Sequence, residues 1–143
     1  MKGLIHIVLF ILGAFLLAAP PDWQDDPGYY AYTSYLLAGI VQSNENDDTA
    51  PYTDDVINIA AEGDMFAAFV NYEGTDSLKV CGLATQNIPD FGPYAGQIVY
   101  EMTIRSNNPG EQVSFKYYDS SKDRILRINA SYEFVINEQL GDL

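Results

Sequence analysis

The most regular pattern in the chain lies in its second half. In "GQIVYEMTIRSN", Ile98, Tyr100, Met102 and Ile104 alternate with Val99, Glu101, Thr103 and Arg105. A period of two gives one apolar face and one mixed face, as in a half-buried strand. "NNPGE" at 107–111 reads as a turn, and "QVSFKYY" repeats the alternation. There Val113, Phe115 and Tyr117 share one face, with Ser114, Lys116 and Tyr118 on the other. "DSSKD" at 119–123 is a second turn, after which Ile125–Ile128 and Tyr132–Ile136 close the series.

Upstream the strands are shorter. "YYAYTSYLLAGIVQ" at 29–42 is aromatic and β-branched at many positions, which favours a pleated, half-buried surface. "SNENDDTAPYTDD" at 43–55 is a long acidic loop. Val56–Ala61, Met65–Val70 and Leu78–Ala84 read as strands, with "EGD" at 62–64 and "NYEGTDS" at 71–77 between them. "QNIPDFGPYAG" supplies Pro and Gly for an irregular connection. The pattern predicts an all-β fold: an antiparallel β-sandwich, immunoglobulin-like or jelly-roll-like, of about eight short strands. No window outside the first residues sustains helical periodicity.

The first residues are different in kind. Met1-Lys2-Gly3 is a short basic start, Leu4 to Ala19 is almost wholly apolar, and Pro20-Pro21 and "DWQDD" follow. This reads as a secretory signal peptide over 1–19. An uncleaved membrane anchor is the competing reading, although the run is short of the roughly 20 residues a spanning helix needs. Residues 20–28, "PPDWQDDPG", then form an extended lead-in segment, and 29–143 the sandwich domain. Trp23 in that segment either pins it to the sandwich or stacks on a sugar ring. The expected location is secreted, extracellular or on the cell surface.

Charge narrows the partners. Twenty acidic and seven basic side chains give a net charge of −13. Twelve of the acids lie between Asp22 and Asp76, a span with no Lys or Arg, whereas eight acids and six bases follow from Lys79 onward. A field of this sign repels nucleic acid and anionic membranes and attracts cations or basic partners.

The candidate chemistry is sparse. The single histidine, His6, falls inside the signal peptide, so the exported chain has no imidazole for a Ser-His-Asp or Cys-His arrangement. One cysteine cannot build a thiolate metal cage or an internal disulfide. No phosphate-binding glycine loop is present. Calcium is the one cofactor the residues suggest, since it takes six to eight oxygens from carboxylates, amides and carbonyls. Asn44, Asp47, Asp48, Asp54 and Asp55 would be its ligands, in an irregular site. It is no EF-hand, because Thr49 stands where the turn glycine belongs. The alternative is a solvated acidic loop. Asn129-Ala130-Ser131 fits the N-glycosylation triplet.

"GDMFAAFV", then "CGLA", then "YEMTIRSNNPGEQVSFKYYDSSKDRIL" resemble a module of secreted surface proteins of certain Gram-negative bacteria. Its members carry a pattern of the type "DMIAAFVGDECRGVA" followed by "FKxYDAS". The resemblance spans residues 29–136. It rests on Asp64, Ala67, Ala68, Phe69 and Val70, then Gly82 and Ala84, and in the second half on Gly110, Glu111, Phe115, Lys116, Tyr118, Asp119, Ser121 and Ile125. It implies an extracellular β-sandwich with no enzymatic activity. Two departures stand out. The loop "NYEGTDSLK" is longer than the family's short turn, and Cys81 falls on the family's arginine position.

Alternation in "LKVCGLA" puts Leu78, Val80, Gly82 and Ala84 on one face and Lys79, Cys81 and Leu83 on the other. Val80 is therefore expected to be buried. Cys81 is expected on the second face, either as a partly covered inert thiol or as an exposed one able to form an intermolecular disulfide. The function expected is that of a non-enzymatic secreted or cell-surface module with a structural or adhesive role, binding other extracellular proteins or glycans. One alternative is a self-assembling subunit of an extracellular filament or matrix, a homo-oligomer formed by strand addition in which "PPDWQDDPGYYAY" is donated to a neighbour. A second is a carbohydrate-binding module. Nucleic acid is not expected as a partner, and the membrane only through an uncleaved signal.

Overall fold

The computed structural model describes residues 19–43, 57–72 and 75–141. Residues 1–18 of the expected signal peptide and the candidate calcium residues Asn44, Asp47, Asp48, Asp54 and Asp55 lie outside the described residues. The strands are β1 (Tyr32–Gly39), β2 (Gln42–Ser43), β3 (Ile57–Asn58), β4 (Met65–Asn71), β5 (Leu78–Leu83), β6 (Thr85–Asn87), β7 (Val99–Ser106), β8 (Gln112–Asp119), β9 (Arg124–Glu133) and β10 (Gln139–Leu140).

The two strands with the clearest alternation belong to different sheets. One sheet has the order β10-β1-β7-β6 and the other β5-β4-β8-β9, with β2 and β3 as a separate pair. All pairings in the two sheets are antiparallel except β1 with β10. The turn after β7 therefore crosses from one sheet to the other. Ser106 holds it: its Oγ accepts from Asn108 N at 2.9 Å and donates its one proton to the Glu111 carboxylate.

The apolar faces meet as the alternation demands. Tyr100, Met102 and Ile104 of β7 pack with Val113, Phe115 and Tyr117 of β8 and with Phe66, Ala68 and Val70 of β4 in one core cluster. Phe66 lies between the rings of Tyr100 and Phe115, and Tyr100 meets Tyr117 edge-on. Burying rings of this size contributes about 2 kcal/mol each, and this core carries the fold without a disulfide. The arrangement is all-β and sandwich-like.

Three details differ from the alternation alone. Ile125–Ile128 and Tyr132–Ile136 are not separate strands, because β9 runs unbroken along β8 and absorbs Asn129 and Ala130 in a bulge between Ile128 and Ser131. The connection after β5 contains a short strand, β6, paired to β7. The lead-in segment is not extended throughout: Pro27–Tyr29 make a 3-10 turn, with proline at the start where its fixed φ fits.

The lead-in segment works as a strap. Trp23 sits edge-on over Phe69 of β4, Asp25 pairs with Arg105 of β7, and Asp26 reaches Lys79 of β5 at 3.6 Å. The Tyr30 hydroxyl donates to the Val80 carbonyl at 2.7 Å. These contacts cover β5, the edge of its sheet, which would otherwise invite pairing. The opposite edge, β9, has no strand beside it among the described residues. Its bulge and its arginines are features that discourage edge-to-edge association.

Candidate functional site

On β8 the core-facing set is Val113, Phe115 and Tyr117, so Ser114 and Lys116 face outward. The β8–β9 register sets Lys116 opposite Arg127, Ser114 opposite Ser131 and Gln112 opposite Glu133. The outer face thus carries a ladder of polar pairs, with two cationic residues at one paired position. Like charges directly opposite each other on neighbouring strands are destabilising. The chain has acids to spare, and Lys79, Arg105 and Lys122 each have one. Lys116, Arg124 and Arg127 form no ion pair among the described residues. The Lys116 ammonium instead lies 4.8 Å from the Phe69 ring centre, a cation–π contact that fixes its position.

The ladder floors a groove of about 500 Å³. Asn71, Asp76 and Leu78, at the end of the β4–β5 hairpin, wall one side, and Arg127 and Ser131 of β9 the other. This wall belongs to the loop in which the sequence departs from the family pattern it resembles. Leu78 is 44% exposed there. Chemically the groove offers two cations, the single carboxylate of Asp76, paired hydroxyls and amides on a rigid sheet, a net positive, hydrogen-bonding surface suited to an anionic group.

Two other polar clusters are engaged internally. Asp64, buried at the start of β4, accepts at both oxygens: from Ala61 N at 2.9 Å and the Tyr117 hydroxyl at Oδ2, and from Ser120 N and Oγ at 2.8 and 2.9 Å at Oδ1. Burial by itself would raise its pKa, but these bonds outweigh burial and hold the carboxyl below its ordinary value. The Tyr117 hydroxyl moves up, first through burial and then through its bond to Asp64. Gly63, with φ +87°, makes the turn that lets Asp64 reach Ser120. The cluster locks the "AEGD" corner to the end of β8.

The second cluster is an aromatic cage filled by the protein's own lysine. Lys79 Nζ lies 3.1 Å from the Tyr29 ring centre, with Tyr30 and Tyr72 at 5.7 and 5.8 Å. Its occupant closes the strap rather than leaving a cation site open.

Cys81 is corrected by the structure. It is fully buried in the core cluster, not on an outer face. The cause is a bulge in β5: Ala68 faces Gly82 and Phe69 faces Val80, so Cys81 is the extra residue and the alternation breaks there. Val80 is correspondingly only half-buried. Burial raises the thiol pKa to about 12. The intermolecular disulfide expected of an exposed Cys81 has no accessible thiol in this fold.

Trp23 takes the pinning role, against Phe69. Asn129, in the β9 bulge, is exposed. No group of His, Cys, Asp and Glu side chains suited to a metal ion occurs among the described residues. Sequence reasoning named Lys116 only as part of the resemblance and did not single out Arg127 or the groove. The alternation places Lys116 outward, but its partner follows from the register that the 119–124 turn sets, and the partners of Ser114 and Gln112 from the bulge beyond it.

Comparison with family models, with curated proteins and with solved structures finds no match to this chain.

Proposed function

We propose that this chain is a non-enzymatic, exported β-sandwich module, immunoglobulin-like or jelly-roll-like, that holds an extracellular macromolecule in the groove over β8 and β9. One observation carries the reading: Lys116 and Arg127 stand opposite each other on a sheet face with no ion-pair partner among the described residues. In a strongly acidic chain, two cations left without an internal carboxylate are open to an outside anion. The apolar run at 4–19 supports export, and the resemblance of "GDMFAAFV" and "FKYYDSS" to bacterial surface modules supports an adhesive or structural role. Calcium in the acidic loop at 44–55 remains part of the proposal, as a stabiliser of that loop.

The test is fractionation of the producing cells. The exported protein should sediment with the cell surface or its extracellular material in buffer and be released by high salt. Recovery wholly in the medium, in buffer and in salt alike, would remove the adhesive role.

A further inference from the structure

We infer that the ligand of the β8–β9 groove is an acidic polysaccharide, a sugar polymer bearing carboxylates or sulfates. The inference deepens the proposed binding function and rests on it. The groove lies across the face of the sheet, where the backbone groups of β8 are already consumed by β4 and β9. A peptide adding as a strand finds no main-chain partners on that face. What the face offers is side-chain chemistry. Ser114 and Ser131 pair across the strands, Gln112 and Asn71 present amides, and Lys116 and Arg127 present two cations against the one carboxylate of Asp76 in the hairpin wall. Hydroxyls and amides both donate and accept, which matches the hydroxyls of a sugar chain. The two cations outnumber that carboxylate and match the polymer's anionic groups, with Arg127 able to bind a carboxylate through two parallel bonds.

The overall charge of −13 acts against any polyanion at long range. At physiological salt, with a screening length of about 8 Å, that repulsion is largely removed while contacts inside the groove persist. Binding should therefore strengthen as salt rises from very low to physiological, and weaken again at high salt.

Affinity electrophoresis of the exported protein in native gels decides the matter. Gels would contain alginate, dextran as a neutral sugar polymer, or poly-L-glutamate as an acidic peptide. The expected result is retardation by alginate, little by dextran or polyglutamate, and at least a tenfold loss of alginate affinity in Lys116→Gln/Arg127→Gln. Circular dichroism and melting would establish that the variant is folded, and Ser131→Ala serves as a milder second variant with a several-fold loss. Retardation by polyglutamate alone, undiminished retardation of the double variant, or no retardation by alginate would each overturn the inference. If alginate fails while the protein still sediments with its cells, the ligand class is wrong and the binding role stands; if both fail, the binding role falls too.

Discussion

Trp23 packs edge-on against Phe69, with ring centres 5.4 Å apart and planes at 80°. The contact joins the segment before the first strand to the centre of the second sheet, and Phe69 is also the ring that positions Lys116. The strap is therefore part of the domain and a support of the groove. Trp23→Ala should destabilise the protein by about 1–3 kcal/mol, through lost burial and an uncovered Phe69. Thermal unfolding measures the loss. Unchanged stability would mean that the strap is not docked in solution.

Asp64 should make stability depend on pH. Its folded-state pKa lies below the ordinary value of 3.8, so the native state binds a proton more weakly than the unfolded chain. The resulting stabilisation is complete above the ordinary carboxylate pKa and is lost as pH falls through the depressed folded value. Asp64→Asn, which turns a donor toward groups that are themselves donors, should cost about 2–3 kcal/mol near neutrality. Denaturant unfolding across acid pH should show the variant's profile flatter than that of the unaltered protein in the acid range.

Cys81 should be silent in the native state. Burial and a pKa near 12 keep the thiol protonated and out of reach of a soluble disulfide reagent. At mildly alkaline pH the native protein should react only at its opening rate, and the denatured protein at once. Fast labelling of the native protein would contradict the bulge in β5.

Gly82 should be intolerant of any side chain. A Cβ there would sit 2.7 Å from Met102 Sδ and 2.8 Å from the Thr103 carbonyl oxygen, where β5 closes against β7. The backbone oxygen cannot yield as a side chain can. Gly82→Ala should cost about 1–3 kcal/mol, and Gly82→Val more, read from denaturant midpoints.

Much of the fold was legible because the core is written in period two. Tyr100, Met102 and Ile104, and Val113, Phe115 and Tyr117, are inward as the alternation requires. The alternation fails where a bulge inserts a residue, since one extra position reverses every later face. That is why Cys81 was expected outside and lies inside, and why β9 read as two strands. The groove was less legible still. Its ladder depends on the pairing of Lys116 with Arg127, and its wall on where the end of the β4–β5 hairpin lies. Neither is encoded in the local pattern of one segment. The strap was visible only as a tryptophan among prolines and acids, since its partners Phe69, Lys79 and Arg105 are distant in sequence.

The most direct test of the proposed binding role compares cell retention of the protein with that of a folded Lys116→Gln/Arg127→Gln variant. The account predicts that the unaltered protein stays with the cell surface at physiological salt and that the variant appears in the medium. Equal retention of the two would contradict it, since Lys116 and Arg127 would then have no part in what the protein holds.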